Sequence, residues 1–346
     1  MCSSCTTKTP HIRGVGTKPI GKWGFGVYRA LTARFALLAA VGDPTRTTRL
    51  RAKWAADMTR RFKAVMKEMQ ASIVTNDCFG LVAPKRSIDE MLWTGAEEMM
   101  GLAALPTRRF AFRRDNEKLA GFMEWLQEEM DREILEVVDL GGKTVGGGVW
   151  QQQYIDAAYK RGVTRGRTEL RKGGMNVPQE PIRAILAAPI HAERVALLYT
   201  RVFNELKGIT DGMDQLISRS LAEGLAEGRS PDQIAQILLK RMNNVGQTLD
   251  FVDRSGRFVG GVQRARMLAR TEVIRAHHLG TINTYRQAGI EGVSVQAEFL
   301  TAGDDRVCPD CEELEGQIFT LDEAEGLIPV HPLCRCVCLP YMKGWK

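Results

Sequence analysis

Apolar residues recur at helical spacing along most of the chain. The first run begins near Asp43, which can cap a helix, and Pro44 suits the first helical position. Seven apolar residues follow at steps of three or four, namely Leu50, Trp54, Met58, Phe62, Val65, Met69 and Ile73. This spacing places them on one face of a long helix, and we expect that face to lie in the core.

Comparable patterns predict further helices over about 115–138, 150–171, 191–228, 231–242 and 261–287. In the last of these, small residues occupy one face, namely Ala265, Ala269, Val273, Ala276 and Gly280. Because the distance between packed helices depends on the side chains at their contact, this face predicts close approach by another helix.

The pattern changes near the C-terminus. Apolar and polar residues alternate over 293–299, which is typical of a half-buried strand, and a second short strand is expected at 317–320. A cysteine-rich tail follows. We therefore expect a mainly α protein with a small α+β C-terminal domain, in which a helix, short strands and a tail resembling a Cys/His metal knuckle follow the long amphipathic helices.

Charge is distributed unevenly along the chain. Residues 1–40 contain six basic and no acidic residues, and residues 41–70 contain eight basic and three acidic ones. The first 70 residues thus carry a net charge of +11, which leaves −4 for the remainder of a chain of net charge +7. We predict a basic extended arm over 1–42, a helical domain over 43–205 and a third region over 206–346. We expect the arm to become ordered only on a partner.

The basic arm and the basic residues near the start of the first helix suggest a polyanion or an acidic protein surface as partner. Seven of them are candidates for contact with nucleic acid, namely Arg46, Arg49, Arg51, Lys53, Arg60, Arg61 and Lys63. Charge of this kind attracts phosphate without recognising the base sequence. The alternative interpretation is a solvated basic face with no dedicated partner.

The most specific chemical pattern is a cluster of cysteines and a histidine. Cys308 and Cys311 form a C-x2-C pair, and His331, Cys334 and Cys336 follow about twenty residues later. Two short ligand pairs at this separation are typical of a structural zinc site with four protein ligands. Our first choice of ligands is Cys308, Cys311, His331 and Cys334; Cys336 is an alternative, and Cys338 is the weakest candidate. A reduced thiol cluster or late disulfides would be the interpretation without metal.

Catalytic patterns are weak by comparison. His277 and His278 are adjacent on a predicted helix and therefore point about 100° apart, so they cannot share one metal ion. Glu272 lies near Arg270 and Arg275, which favours an ion pair over a general base. We predict that the protein is not an enzyme. No apolar run is long enough to span a bilayer, so we expect no membrane partner.

Several motifs together resemble a known family. In order they are Ala269-Arg270-Thr271-Glu272, Asp304-Asp305-Arg306-Val307-Cys308-x2-Cys311, Leu314-x-Gly316 and His331-Pro332-x-Cys334-Arg335-Cys336. This arrangement, over about residues 210–340, resembles the head morphogenesis domain of phage Mu protein F-like minor capsid proteins. The region 206–346 is therefore interpreted as such a domain.

The resemblance implies a structural role in a tailed bacteriophage. It implies a minor capsid protein, present in few copies, that docks near the portal inside the head, assists assembly and contacts or accompanies DNA. The implied partners are the portal protein, the major capsid protein and genomic DNA. The implied locations are the virion head at the portal vertex and, during assembly, the host cytoplasm. The alternatives are a zinc-dependent DNA-binding protein and a metal-dependent hydrolase, which would need an open metal position.

Overall fold

A computed structural model describes residues 43–81, 115–136, 138–139, 144–145, 149–243, 261–290 and 295–342. The predicted arm over 1–42 lies outside the described residues. No described helix combines the length and the hydropathy needed to cross a bilayer.

Helices form most of the described structure. The long ones are α1 (Thr48–Gln70), α2 (Asp115–Met130), α3 (Val149–Lys172), α5 (Pro189–Ala226), α6 (Pro231–Asn243) and α7 (Gly261–Ile290), and a short α4 spans Ile182–Ala187. Single π-helical turns extend α1 over Ala71–Thr75 and α2 over Asp131–Leu135. The predicted helices are confirmed, and all seven residues of the first apolar face are buried.

A small antiparallel sheet follows the long helices. Its strands are β3 (Gln296–Leu300), β4 (Ile318–Phe319) and β5 (Val337–Tyr341), in the order β4-β3-β5. Short helices α8 (Pro309–Glu312) and α9 (Leu321–Glu325) lie between them, and a separate two-stranded ribbon pairs β1 (Val138–Asp139) with β2 (Thr144–Val145). The predicted mainly α fold with a small α+β C-terminal part is confirmed.

The expected start of the first helix was wrong by about four residues. Arg46 has a positive φ of 54°, and its N–H donates to the Asp43 carbonyl, so residues 43–46 form a turn. The Asp43 carboxylate accepts hydrogen bonds from the hydroxyl of Thr45 (2.6 Å), from Thr48 and from Arg51 (2.6 Å). Asp43 therefore organises the turn before the helix, and α1 begins at Thr48.

Helices α3 and α7 touch through their backbones. A Cβ at Gly280 would lie 2.5 Å from the carbonyl oxygen of Tyr159, and one at Gly162 would lie even closer to that of His277. The Thr281 hydroxyl also donates to the carbonyl of Gly162 (3.2 Å). The close helix approach predicted from the small residues of α7 is confirmed.

The core of the described residues consists of two apolar clusters. The larger one contains residues from α1, α2, α3, α5, α6 and α7, and the smaller one joins the later part of α7 to the sheet and the cysteines. The predicted boundary between 205 and 206 lies inside α5, whose buried Leu198 and Met213 belong to the same cluster. The division into domains stays a prediction.

The burial of His278 is expected to make the stability of the protein depend on pH. This buried side chain donates from Nε2 to the Ala324 carbonyl (2.7 Å), and burial lowers its pKa to about 4. A histidine in the unfolded chain has a pKa of about 6.5. Between these pH values, His278 is therefore protonated in the unfolded chain and neutral in the folded chain. The contribution of His278 to the free energy of unfolding is thus fully present above pH 6.5 and is lost as the pH falls towards 4.

We expect the unfolding free energy to fall over this range, and to fall less steeply in His278→Gln, by up to about 1.4 kcal/mol per pH unit. Urea denaturation between pH 7 and 4.5 measures this difference. Parallel stability curves for the wild type and the variant would show that His278 does not contribute.

Candidate metal centre and basic surface

The first cysteine pair is held by a tight turn. Cys308 is extended and caps α8, and Pro309 occupies the first helical position. The N–H groups of Cys311 and Glu312 both donate to the Cys308 carbonyl (3.0 Å each). Proline suits this position because the first turn of a helix needs no N–H there. The turn brings the two sulfur atoms of the C-x2-C pair together.

The second half of the site is a turn over residues 331–334. The N–H of Cys334 donates to the His331 carbonyl (3.1 Å), and Leu333 has a positive φ of 66°. The N–H of Leu333 also donates to the Thr271 hydroxyl on α7 (3.2 Å). This bond ties the turn to the long helix beneath it.

The folded chain brings all five predicted ligands together. Their donor atoms form two overlapping groups, within each of which all atoms lie within 4.8 Å of one another. One group is Cys308, Cys311 and His331, and the other is Cys311, Cys334 and Cys336. Cys311 belongs to both, whereas Cys338 belongs to neither. The cluster can hold a metal ion.

The orientation of His331 fits metal binding. Its Nδ1 lies 2.8 Å from the Pro332 carbonyl, which can only accept, so Nδ1 carries the proton. In the neutral ring Nε2 then has a free lone pair, and this atom lies 3.2 Å from Cys311 Sγ. A metal-bound histidine usually donates its other N–H to a carbonyl in this way.

The sulfur atoms differ in their hydrogen bonds. A hydrogen bond from the Cys336 thiol, assisted by the N–H groups of Cys336 and Val330, lowers the pKa of Cys334. Donation to Cys334 raises the pKa of Cys336, and burial raises that of Cys311 to about 12. Cys334 is thus the sulfur that its surroundings best stabilise as a thiolate, the form that binds metals.

An ion pair braces the loop between Cys334 and Cys336. Both terminal nitrogens of Arg335 donate to the Asp304 carboxylate (2.6 Å each), which also accepts from Arg306 (2.7 Å). These bonds hold the pKa of Asp304 well below its usual range. The sequence analysis did not predict the pairing of Arg335 with Asp304, because 31 residues separate the two.

Comparison with known families matches this part of the chain. Residues 215–339 match the family model of phage Mu protein F like proteins. The resemblance predicted from the motifs is confirmed, and the matched residues, here named the Mu F-like segment, contain all five clustered ligands. No curated protein and no solved structure matches the chain.

The Mu F-like segment also contains the residues considered for catalysis. The Glu272 carboxylate is buried and accepts from Arg275 (3.2 Å) and from Arg201 of α5 (3.4 Å). His277 and His278 are buried within the helix packing. Glu272 therefore forms one ion pair within α7, with the sequence neighbour Arg275, and one with Arg201 on α5.

The seven candidate nucleic-acid contacts lie outside the Mu F-like segment and differ in exposure. Arg46, Arg49, Lys53, Arg60 and Lys63 are exposed. Arg51 pairs with Asp43 and keeps 11% side-chain exposure. Arg61 keeps 17%, pairs with Glu136 (2.9 Å) and stacks over the Trp150 ring (4.3 Å). The structure thus separates five solvent-facing side chains from two that brace the fold.

Proposed function

We propose that this protein is a minor head protein of a tailed bacteriophage. The supporting observation is the family match over 215–339, within which the cysteines and histidine of the family-like motifs converge. A structural role also agrees with the ion-paired Glu272 and the buried His277 and His278. On this proposal the protein is not an enzyme.

The metal in the proposal is a structural zinc ion. Tetrahedral zinc with Zn–S bonds of about 2.3 Å separates its sulfur ligands by about 3.8 Å. The donors of Cys308, Cys311 and His331 lie within 4.8 Å of one another, and Cys334 joins them through Cys311, from which it is also separated by no more than 4.8 Å. Cys308, Cys311, His331 and Cys334 are our first choice, with Cys336 donating to the Cys334 sulfur. Four protein ligands leave no open position for substrate, which argues against a hydrolase.

The proposed partners are the portal and major capsid proteins. The segment between the two halves of the cluster exposes Glu312, Glu313 and Glu315. An acidic surface of this kind suits a protein partner and repels DNA, which argues against the cluster as a DNA reader. We place the protein in the virion head near the portal vertex, and in the host cytoplasm during assembly.

Particle composition tests the proposal. In phage particles produced from the genome that encodes this chain, quantitative mass spectrometry should detect the chain at a few copies for each portal ring. It should remain with heads after tails are removed. Absence from purified heads, with the chain recovered instead from the lysate supernatant, would contradict the proposal.

A further inference from the structure

Helix α1 carries a straight basic stripe opposite its buried face. The stripe consists of five exposed residues, namely Arg49, Lys53, Arg60, Lys63 and Lys67. At 100° per residue they fall within an arc of about 80°, and they extend over about 27 Å of helix. The buried Trp54, Met58 and Phe62 lie on the other side of the helix. The sequence analysis had not singled out Lys67.

Most of this positive charge is not neutralised within the described part of the chain. Arg60 pairs with Asp57, whereas no ion pair among the described residues includes Arg49, Lys53, Lys63 or Lys67. Ala52 and Ala56 are exposed beside the stripe, and their small side chains allow a partner to approach the helix closely. The stripe is therefore both charged and accessible.

Helix α3 extends the same surface at one end. The exposed Arg161 donates to the carbonyl of Arg46, with 3.4 Å between the atoms. Lys53 lies over the ring of Tyr154 on α3, with its Nζ 6.0 Å from the centroid. These contacts bring Arg46 and Arg161 together at the end of α1 where Arg49 begins the stripe.

We infer that the phosphate backbone of duplex DNA lies along this stripe, from Arg46 and Arg161 at one end to Lys67 at the other. This rests on the proposed function as a head protein, for which the sequence analysis expects contact with genomic DNA, and it specifies the surface of that contact. A length of about 27 Å matches about eight base pairs at 3.4 Å per pair. Contacts with phosphates carry no sequence information, so binding is independent of sequence. Arg51 and Arg61 take no part, because their side chains keep only 11% and 17% exposure, whereas Arg60 keeps 71% although it pairs with Asp57.

Fluorescence anisotropy of the full chain with a labelled 20-base-pair duplex tests this surface. We expect Arg161→Gln and Lys67→Gln each to weaken binding about threefold at 150 mM salt. Each should also reduce the slope of log K against log salt by about 1, because one phosphate contact is lost. Arg219→Gln removes an equal charge from an exposed position on α5 and serves as the control. Circular dichroism verifies that the variants fold.

Each other outcome overturns the inference. Equal affinity for the wild type and both variants would place the DNA elsewhere, and an equal loss in Arg219→Gln would show an effect of net charge alone. Tighter binding of polyglutamate than of DNA at matched charge would indicate an acidic protein surface as the partner. If the wild type binds no DNA, the inference fails while the head-protein proposal stands, because that proposal depends on particle composition.

Discussion

Replacing Cys311 with serine is expected to abolish metal binding and to unfold the part of the chain that contains the strands β3 to β5 and the cysteine cluster. Cys311 is the sulfur shared by both groups of candidate ligands, so its loss leaves no complete set of donors in either. Structural zinc sites contribute on the order of 10 kcal/mol to the folding of small modules. That amount is comparable to the whole stability of an ordinary domain.

Zinc per chain, measured by mass spectrometry on protein purified under reducing conditions, gives the result directly. The wild type should hold one zinc ion, and Cys308→Ser, Cys311→Ser and Cys334→Ser should hold none and lose the C-terminal part to proteolysis. Cys338→Ser is the matched control, because Cys338 is as buried as Cys311 and Cys334 and lies outside both groups. Loss of zinc in the control, or full zinc in Cys311→Ser, would contradict the assigned ligands.

A single added methyl group at Gly162 is expected to destabilise the protein severely. The new Cβ would overlap with the carbonyl oxygen of His277, and neither backbone can move without displacing its helix. Inserting atoms into a packed core typically costs about 1–3 kcal/mol, and this contact falls at or above the upper end because it involves backbone.

The control for Gly162→Ala is Gly208→Ala on α5. Gly208 is exposed, and nothing lies within 4 Å of its added Cβ. Because alanine is a better helix former than glycine, the free energy of unfolding of this variant should rise by about 1 kcal/mol. Urea denaturation of both variants separates packing from helix propensity. Equal stability of the two would mean that α3 and α7 are not in backbone contact.

The sequence predicted the helices because their signal is local. The apolar spacing from Leu50 to Ile73 depends on 24 consecutive residues and marks the buried face of α1 correctly. The start of α1 was misplaced because Asp43 and Pro44 fit a helix start and a turn equally well. The positive φ of Arg46 makes these residues a turn, and arginine is not a residue type that indicates a positive φ.

The ligand residues of the candidate site could be predicted from the sequence, whereas the hydrogen bonds that hold them in place could not. Short spacings identified Cys308, Cys311, His331, Cys334 and Cys336, and the structure brings them together. These hydrogen bonds join residues that are distant in sequence, as in the bonds from Arg335 to Asp304 and from Leu333 to Thr271. Pairings of this kind depend on the packing of the sheet against α7, which no local pattern encodes.

The placement of α7 limits how the Mu F-like segment can be exchanged between proteins. Its small-residue face, including Ala269, Ala276 and Gly280, is buried, and α3, which precedes the matched residues, covers Gly280. Cut out alone, the segment would expose that face to water. A protein that receives this segment by recombination must therefore supply a helix that covers the same face and has a glycine where α3 has Gly162.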